Sequence, residues 1–119
     1  MGRETVRQVL VVDDDPSIRF LCRVNLEFEG WHVREAATLG EARAQLADAA
    51  VHVVLLDVHV GAENGVAFLD EIRSLHPETK VAMLTGSVGG PTLEGATPDG
   101  IISKPFTLDE LSSTVAALV

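Results

Sequence analysis

Apolar positions along the chain follow two rhythms. Five short runs, at residues 8–12, 31–35, 51–56, 80–84 and 101–103, read as strands. The run 51–56 is almost continuously apolar, as expected of a central strand covered on both faces. Between the runs stand segments of helical period. Asp15 as N-cap and Pro16 at the first helical position open a helix that runs to about Glu29, where Gly30 suits the turn that ends it. Thr38 and Glu41 have capping-box spacing, and Leu39, Ala42, Leu46 and Ala49 follow in helical register. Gly65 opens a helix carrying Phe68, Leu69, Ile72 and Leu75 on one face, ended before Pro77. Thr107 and Glu110 repeat the capping-box spacing before a last helix that buries Leu108, Leu111, Val115 and Leu118.

This strand–helix alternation predicts an α/β fold, a doubly wound sheet of five parallel strands joined by right-handed crossovers. The rhythm fails between Thr85 and Lys104. SVGGPTLEGATPDG has four glycines and two prolines and supports at most a turn of helix near residues 92–95. The helix of that crossover, the fourth, is therefore expected to be short or disordered.

Composition narrows the functional classes. Nine basic against eighteen acidic residues leave a net charge of −9, a poor match for direct nucleic-acid binding or an anionic membrane. No apolar run approaches the roughly 18 residues of a membrane span. The opening MGRETVRQ lacks the apolar segment of a signal peptide. The single cysteine, Cys22, allows no internal disulfide, fits a cytoplasmic location and reads as core packing.

In doubly wound sheets, functional groups gather beyond the C-terminal ends of the strands. Asp13, Asp14 and Asp15 follow the first strand, Asp57 the third, Thr85 the fourth, and Lys104 the fifth. Carboxylates brought to one edge repel each other unless a cation or a proton intervenes. Oxygen-only ligands in a shallow site suit Mg²⁺. A lysine and a hydroxyl beside them can hold the remaining oxygens of a phosphoryl group. The set suits a carboxylate that accepts phosphate in the presence of Mg²⁺.

The segments VLVVDDDP, LLDVHVGAENG, MLTG and SKPF, in this order and spacing, resemble the receiver domain of two-component response regulators. The resemblance covers essentially the whole chain, 1–119, as one receiver domain. It implies the flavodoxin-like strand order 2-1-3-4-5. It implies that Asp57 is phosphorylated by a histidine kinase or phosphotransfer protein. It implies that Asp13, Asp14, Asp57 and the backbone carbonyl of His59 hold Mg²⁺, that Thr85 and Lys104 stabilise the phosphoryl group, and that the Lys104–Pro105 bond is cis. Asp15 falls outside that set, as a helix cap. The output is a changed surface for an effector domain or output protein.

The chain departs from the family pattern in three places. Val60 and Gly61 stand where Met-Pro is usual, so the loop after Asp57 is expected to be looser. Asn64 replaces a common Asp. Ile101 occupies the switch position that pairs with Thr85 and usually holds an aromatic residue; it is expected to stay packed, with activation expressed as ordering of residues 86–100.

Two other functions compete. A degenerate receiver would act only as a protein-binding module, which the altered switch region favours and the intact Asp14, Asp57, Thr85 and Lys104 oppose. An aspartyl-phosphate phosphatase of the haloacid dehalogenase type would need an Asp where His59 stands, so an enzyme is not expected. His59 is also a poor transition-metal ligand, because His32, His52 and His76 are scattered. The glycine-rich GSVGGPTLEG lacks the Gly-Lys-Ser/Thr of a phosphate-binding loop.

Overall fold

Alternating side chains along the strands divide the core into two halves, one on each side of a central sheet. The computed structural model describes residues 6–86 and 97–119. In chain order the elements are β1 (Gln8–Val12), α1 (Pro16–Phe28), β2 (His32–Ala36), α2 (Leu39–Asp48), β3 (Val53–Asp57), β4 (His59–Val60), β5 (Glu63–Asn64), α3 (Gly65–Leu75), β6 (Lys80–Thr85), β7 (Gly100–Ser103) and α4 (Leu108–Ala117). Five strands form one parallel sheet in the order β2-β1-β3-β6-β7. Numbering only these five gives 2-1-3-4-5, the expected order.

Leu10, Val12, Val54, Leu56, Val81 and Met83 point to one face, where α2 and α3 cover them with Leu39, Ala42, Leu46, Phe68, Leu69 and Ile72. Val9, Val11, Val53, Leu55, Ala82 and Leu84 point to the other face, against Cys22 and Leu26 of α1 and Leu111 and Val115 of α4. Every residue of β3 is buried, as its apolar run predicts. Burial also pushes the Cys22 thiol up to about 12, in keeping with a packing role.

Local capping sets where each helix leaves the sheet. Asp15 Oδ1 accepts from the Ser17 N–H at 2.8 Å, and Asn64 Oδ1 accepts from Val66 N at the same distance. Thr107 and Glu110 form a complete capping box. Thr38 accepts from Glu41 N, but the Glu41 carboxylate reaches back one residue further, to Ala37 N, so that box is only half made. Gly30 has φ +96° after α1, the left-handed turn that glycine allows.

Several expectations need correction. β2 starts at His32 rather than Trp31, whose N–H closes the end of α1 on Leu26 O, and β3 at Val53 rather than Val51, whose carbonyl accepts from the Thr79 hydroxyl. Leu75 is the last residue of α3 and Leu108 the first of α4, and both are exposed. The residues after Asp57 form a tight hairpin, β4–β5, in place of a loose loop. Gly61, at φ +63°, provides its turn, and Val60 is buried in the core. Ile101 is not packed: strand alternation turns Ile102 toward α4 and leaves Ile101 53% exposed. The expected short fourth helix near residues 92–95, and most of the 86–100 segment, lie outside the described residues.

Candidate functional site

Parallel register brings the strand ends level. Val12 stands opposite Ala36 and Leu56, Asp57 opposite Leu84, and Thr85 opposite Ser103. The residues at and just beyond these positions therefore share one edge. Asp13, Asp14 and Asp57 each offer a carboxylate oxygen within 4.8 Å of the others. Lys104 reaches into the group from the end of β7, its Nζ 2.7 Å from Asp13 Oδ2 and 3.6 Å from Asp57 Oδ2. Thr85 is buried at the end of β6, and its carbonyl accepts from Lys104 N at 2.7 Å. Lys104–Pro105 is cis. Asp15 caps α1 and stands outside the carboxylate group.

The three carboxylates differ in environment. Asp13 is fully buried; its Oδ1 accepts from Asp15 N at 2.9 Å and its Oδ2 from Lys104. Asp14 is exposed, and its carboxylate makes no hydrogen bond or ion pair among the described residues. Asp57 is 9% exposed. Burial, reinforced by the charge of Asp13, pushes its carboxyl up to about 6, against the opposing pull of Lys104 and the His59 N–H. That N–H donates to Asp57 Oδ1 at 3.4 Å, while the His59 side chain is exposed. Burial alone would lower the Lys104 ammonium. The hydrogen bond and charge of Asp13, with the charge of Asp57, outweigh it and hold the group above the usual lysine value. The donor set is all hard oxygen, with no sulfur or imidazole in the group, and fits Mg²⁺.

Two contacts escape a reading of the sequence. A Cβ on Gly65 would lie 2.0 Å from the Asp57 carbonyl oxygen, so only glycine lets α3 start against the strand end. The Asn-Gly pair before an apolar helix hints at this turn but not at the close approach. Arg19 of α1 donates to the main-chain oxygen of Asp13 at 2.8 Å, and nothing local in the sequence marks it out.

Residues 9–116 match the response regulator receiver domain family. The chain belongs to this family. It is 32% identical over 121 residues to the probable transcriptional regulatory protein TcrX of Mycobacterium tuberculosis, covering 93% of this chain and 49% of that protein. It superposes with a TM-score of 0.88 on a CheY-like receiver domain protein from Methanospirillum hungatei, 29% identical, covering 95% of this chain and 93% of the other. The receiver domain of NtrX from Brucella abortus gives 0.83 at 35% identity, with 92% and 96% covered. The receiver chain is a phosphoacceptor module of two-component signalling. It spans half or less of the length of the curated relatives it matches. Among the described residues, no helix is long and apolar enough to cross a membrane.

Proposed function

We propose that Asp57 is the phosphoacceptor of this receiver and that residues 1–119 act as one such domain. A carboxylate oxygen of Asp57 forms a bond to phosphorus as the phosphorus–nitrogen bond of a phosphohistidine breaks. The donor imidazole leaves with the electron pair and takes up a proton. Asp13, Asp14 and Asp57, with the His59 carbonyl, would hold Mg²⁺, which when bound supplies positive charge to the phosphoryl oxygens.

The chain's own groups do the rest. Lys104 offsets the charge of Asp57 and pairs with a phosphoryl oxygen once the group has moved. The Thr85 hydroxyl donates to another. Asp13 anchors Lys104 on the acceptor's side of the site. The observation that carries this reading is the Lys104 ammonium, set between Asp13 at 2.7 Å and Asp57 at 3.6 Å.

The donor would be a histidine kinase or phosphotransfer protein. An apolar stripe of Phe20, Val24 and Phe28 on α1, which starts beside the site, supports docking of such a partner. The output goes to an effector domain or partner protein, and the module acts in the cytoplasm. It is not itself an enzyme.

Incubation with Mg²⁺ and acetyl phosphate, followed by intact mass, tests the assignment. One phosphate should add to the wild type and none to Asp57→Asn. Undiminished labelling of the variant overturns it.

A further inference from the structure

The Mg²⁺ site proposed above leaves one question of geometry. Asp14 is the carboxylate most open to solvent, yet no side chain holds it among the described residues. Its direction therefore depends on the main chain that leads into it. The peptide joining Asp13 to Asp14 has its oxygen bonded by the Arg19 guanidinium at 2.8 Å. The same guanidinium donates through Nε to Glu35 Oε1 at 3.0 Å. Glu35 also pairs with Arg23 at 3.1 Å. Arg19 is largely covered, with 18% of its side chain exposed. The Asp13 N–H donates to Ala36 O at 3.1 Å, so both neighbouring peptides are tied down.

We infer that Arg19 is a positioning residue for cation binding: clamped by Glu35, it fixes the Asp13–Asp14 peptide and so aims the Asp14 carboxylate into the site. The inference rests on the Mg²⁺ reading above. Its sign separates it from simple electrostatics. A positive charge beside three carboxylates opposes a second cation, so losing it should tighten Mg²⁺ binding. Losing an orienting contact should weaken it, as happens when an outer partner of a metal ligand is removed. A planar guanidinium can serve the carbonyl and Glu35 together; an ammonium is a single point charge without that fork.

The test is Mg²⁺ titration by calorimetry, with phosphorylation by acetyl phosphate measured across Mg²⁺ concentrations. Arg19→Gln should raise the Mg²⁺ dissociation constant about tenfold, the low end for such partners. Its phosphorylation rate should recover at saturating Mg²⁺, because Arg19 touches neither acceptor nor phosphoryl group. Arg19→Lys should be weakened as well, although its charge is kept. Glu35→Gln should fall between the two and the wild type. Arg23→Gln loses the same charge beside Glu35 without touching the Asp13 carbonyl, and should bind Mg²⁺ as well as the wild type or better.

Unchanged or tighter binding in Arg19→Gln overturns the inference, as does wild-type affinity in Arg19→Lys. Should Arg19→Gln fail to fold, the Arg19→Lys and Arg23→Gln titrations decide by the same signs. A wild type that binds no Mg²⁺ overturns the underlying metal reading, a result distinct from either.

Discussion

At the edge where the strands begin, polar groups meet matched partners. Gln8 N donates to His52 Nδ1 at 3.1 Å, the Thr79 hydroxyl to Val51 O at 2.8 Å, and Val81 N to Asp99 Oδ2 at 2.9 Å. Arg34 reaches Gln8, Gln45 and Asp48. At the opposite edge of the same sheet, three carboxylates gather, and one ammonium pairs with two of them, Asp13 and Asp57. The first edge uses its polar groups to close the fold. The second leaves negative charge without a full counterpart, and its response to protons, cations and phosphate follows from that surplus. Stability at the first edge should therefore be indifferent to Mg²⁺, and stability at the second should respond to it.

The largest effect expected is at Gly65, where the charged edge depends on shape. A Cβ there would meet the Asp57 carbonyl at 2.0 Å, so Gly65→Ala should lower unfolding free energy by about 3 kcal/mol or more. Urea denaturation measures it. A loss under about 1 kcal/mol would mean that α3 can move off the strand end without penalty.

Lys104→Ala comes next. It strips the fully buried Asp13 of its ion pair, and with Lys104 partly exposed the loss should be about 2 kcal/mol in chelator. Added Mg²⁺ should narrow the gap to the wild type, since a cation then replaces the missing charge. An equal gap in both buffers would break the comparison between the edges.

Asp57→Asn should do the opposite and stabilise the metal-free protein. The Asp57 carboxyl is raised from an ordinary 3.8 to about 6, so the folded state holds a proton more readily than the unfolded chain between these values. Above about pH 6 the buried charge lowers stability in full; below about pH 4 that penalty disappears. The variant should gain about 2 kcal/mol at pH 8, shrinking toward zero as pH falls through 6 to 4. A gain that grows on acidification would reverse the sign and remove burial as the cause.

The smallest change tests the quiet edge. Thr79→Val deletes one buried hydrogen bond and should lower stability by about 1 kcal/mol. The loss should be the same with chelator or Mg²⁺, and at pH 6 or pH 8. Dependence on either condition would show that the two edges are coupled.

Much of this arrangement is legible in the residues. β1, α1 and α3 announce themselves by their apolar period, and the caps read from the sequence, Asp15 and Thr107, stand at the starts of α1 and α4; the Asn64 cap of α3 shows only in the structure. Asp13, Asp14, Asp57, Thr85 and Lys104 are found because each follows a strand, and a parallel sheet sends strand ends to one edge. Leu75 and Leu108 misled because helical period says which face a residue occupies, not whether the end of the helix is covered. Ile101 misled for a related reason: an apolar residue in a short strand can face either way, and the covering helix selected Ile102. Glu41 shows that spacing alone does not choose between two nearby amides, since its carboxylate bonds Ala37 N rather than Thr38 N.

Local pattern thus determined the five strands of the main sheet, the helices between them and the acidic and basic residues at the strand ends, because each depends on neighbours within a few positions. Tertiary structure alone decided how those residues act on one another. It set Lys104 between Asp13 and Asp57, ninety-one residues along the chain from the first of them. It raised the Asp57 carboxyl by burying it beside Asp13, turned the Arg19 guanidinium onto the Asp13 carbonyl, and closed the space around Gly65. Distances across a fold and the exclusion of water from a strand end arise only when separate segments pack, and no stretch of sequence carries them by itself.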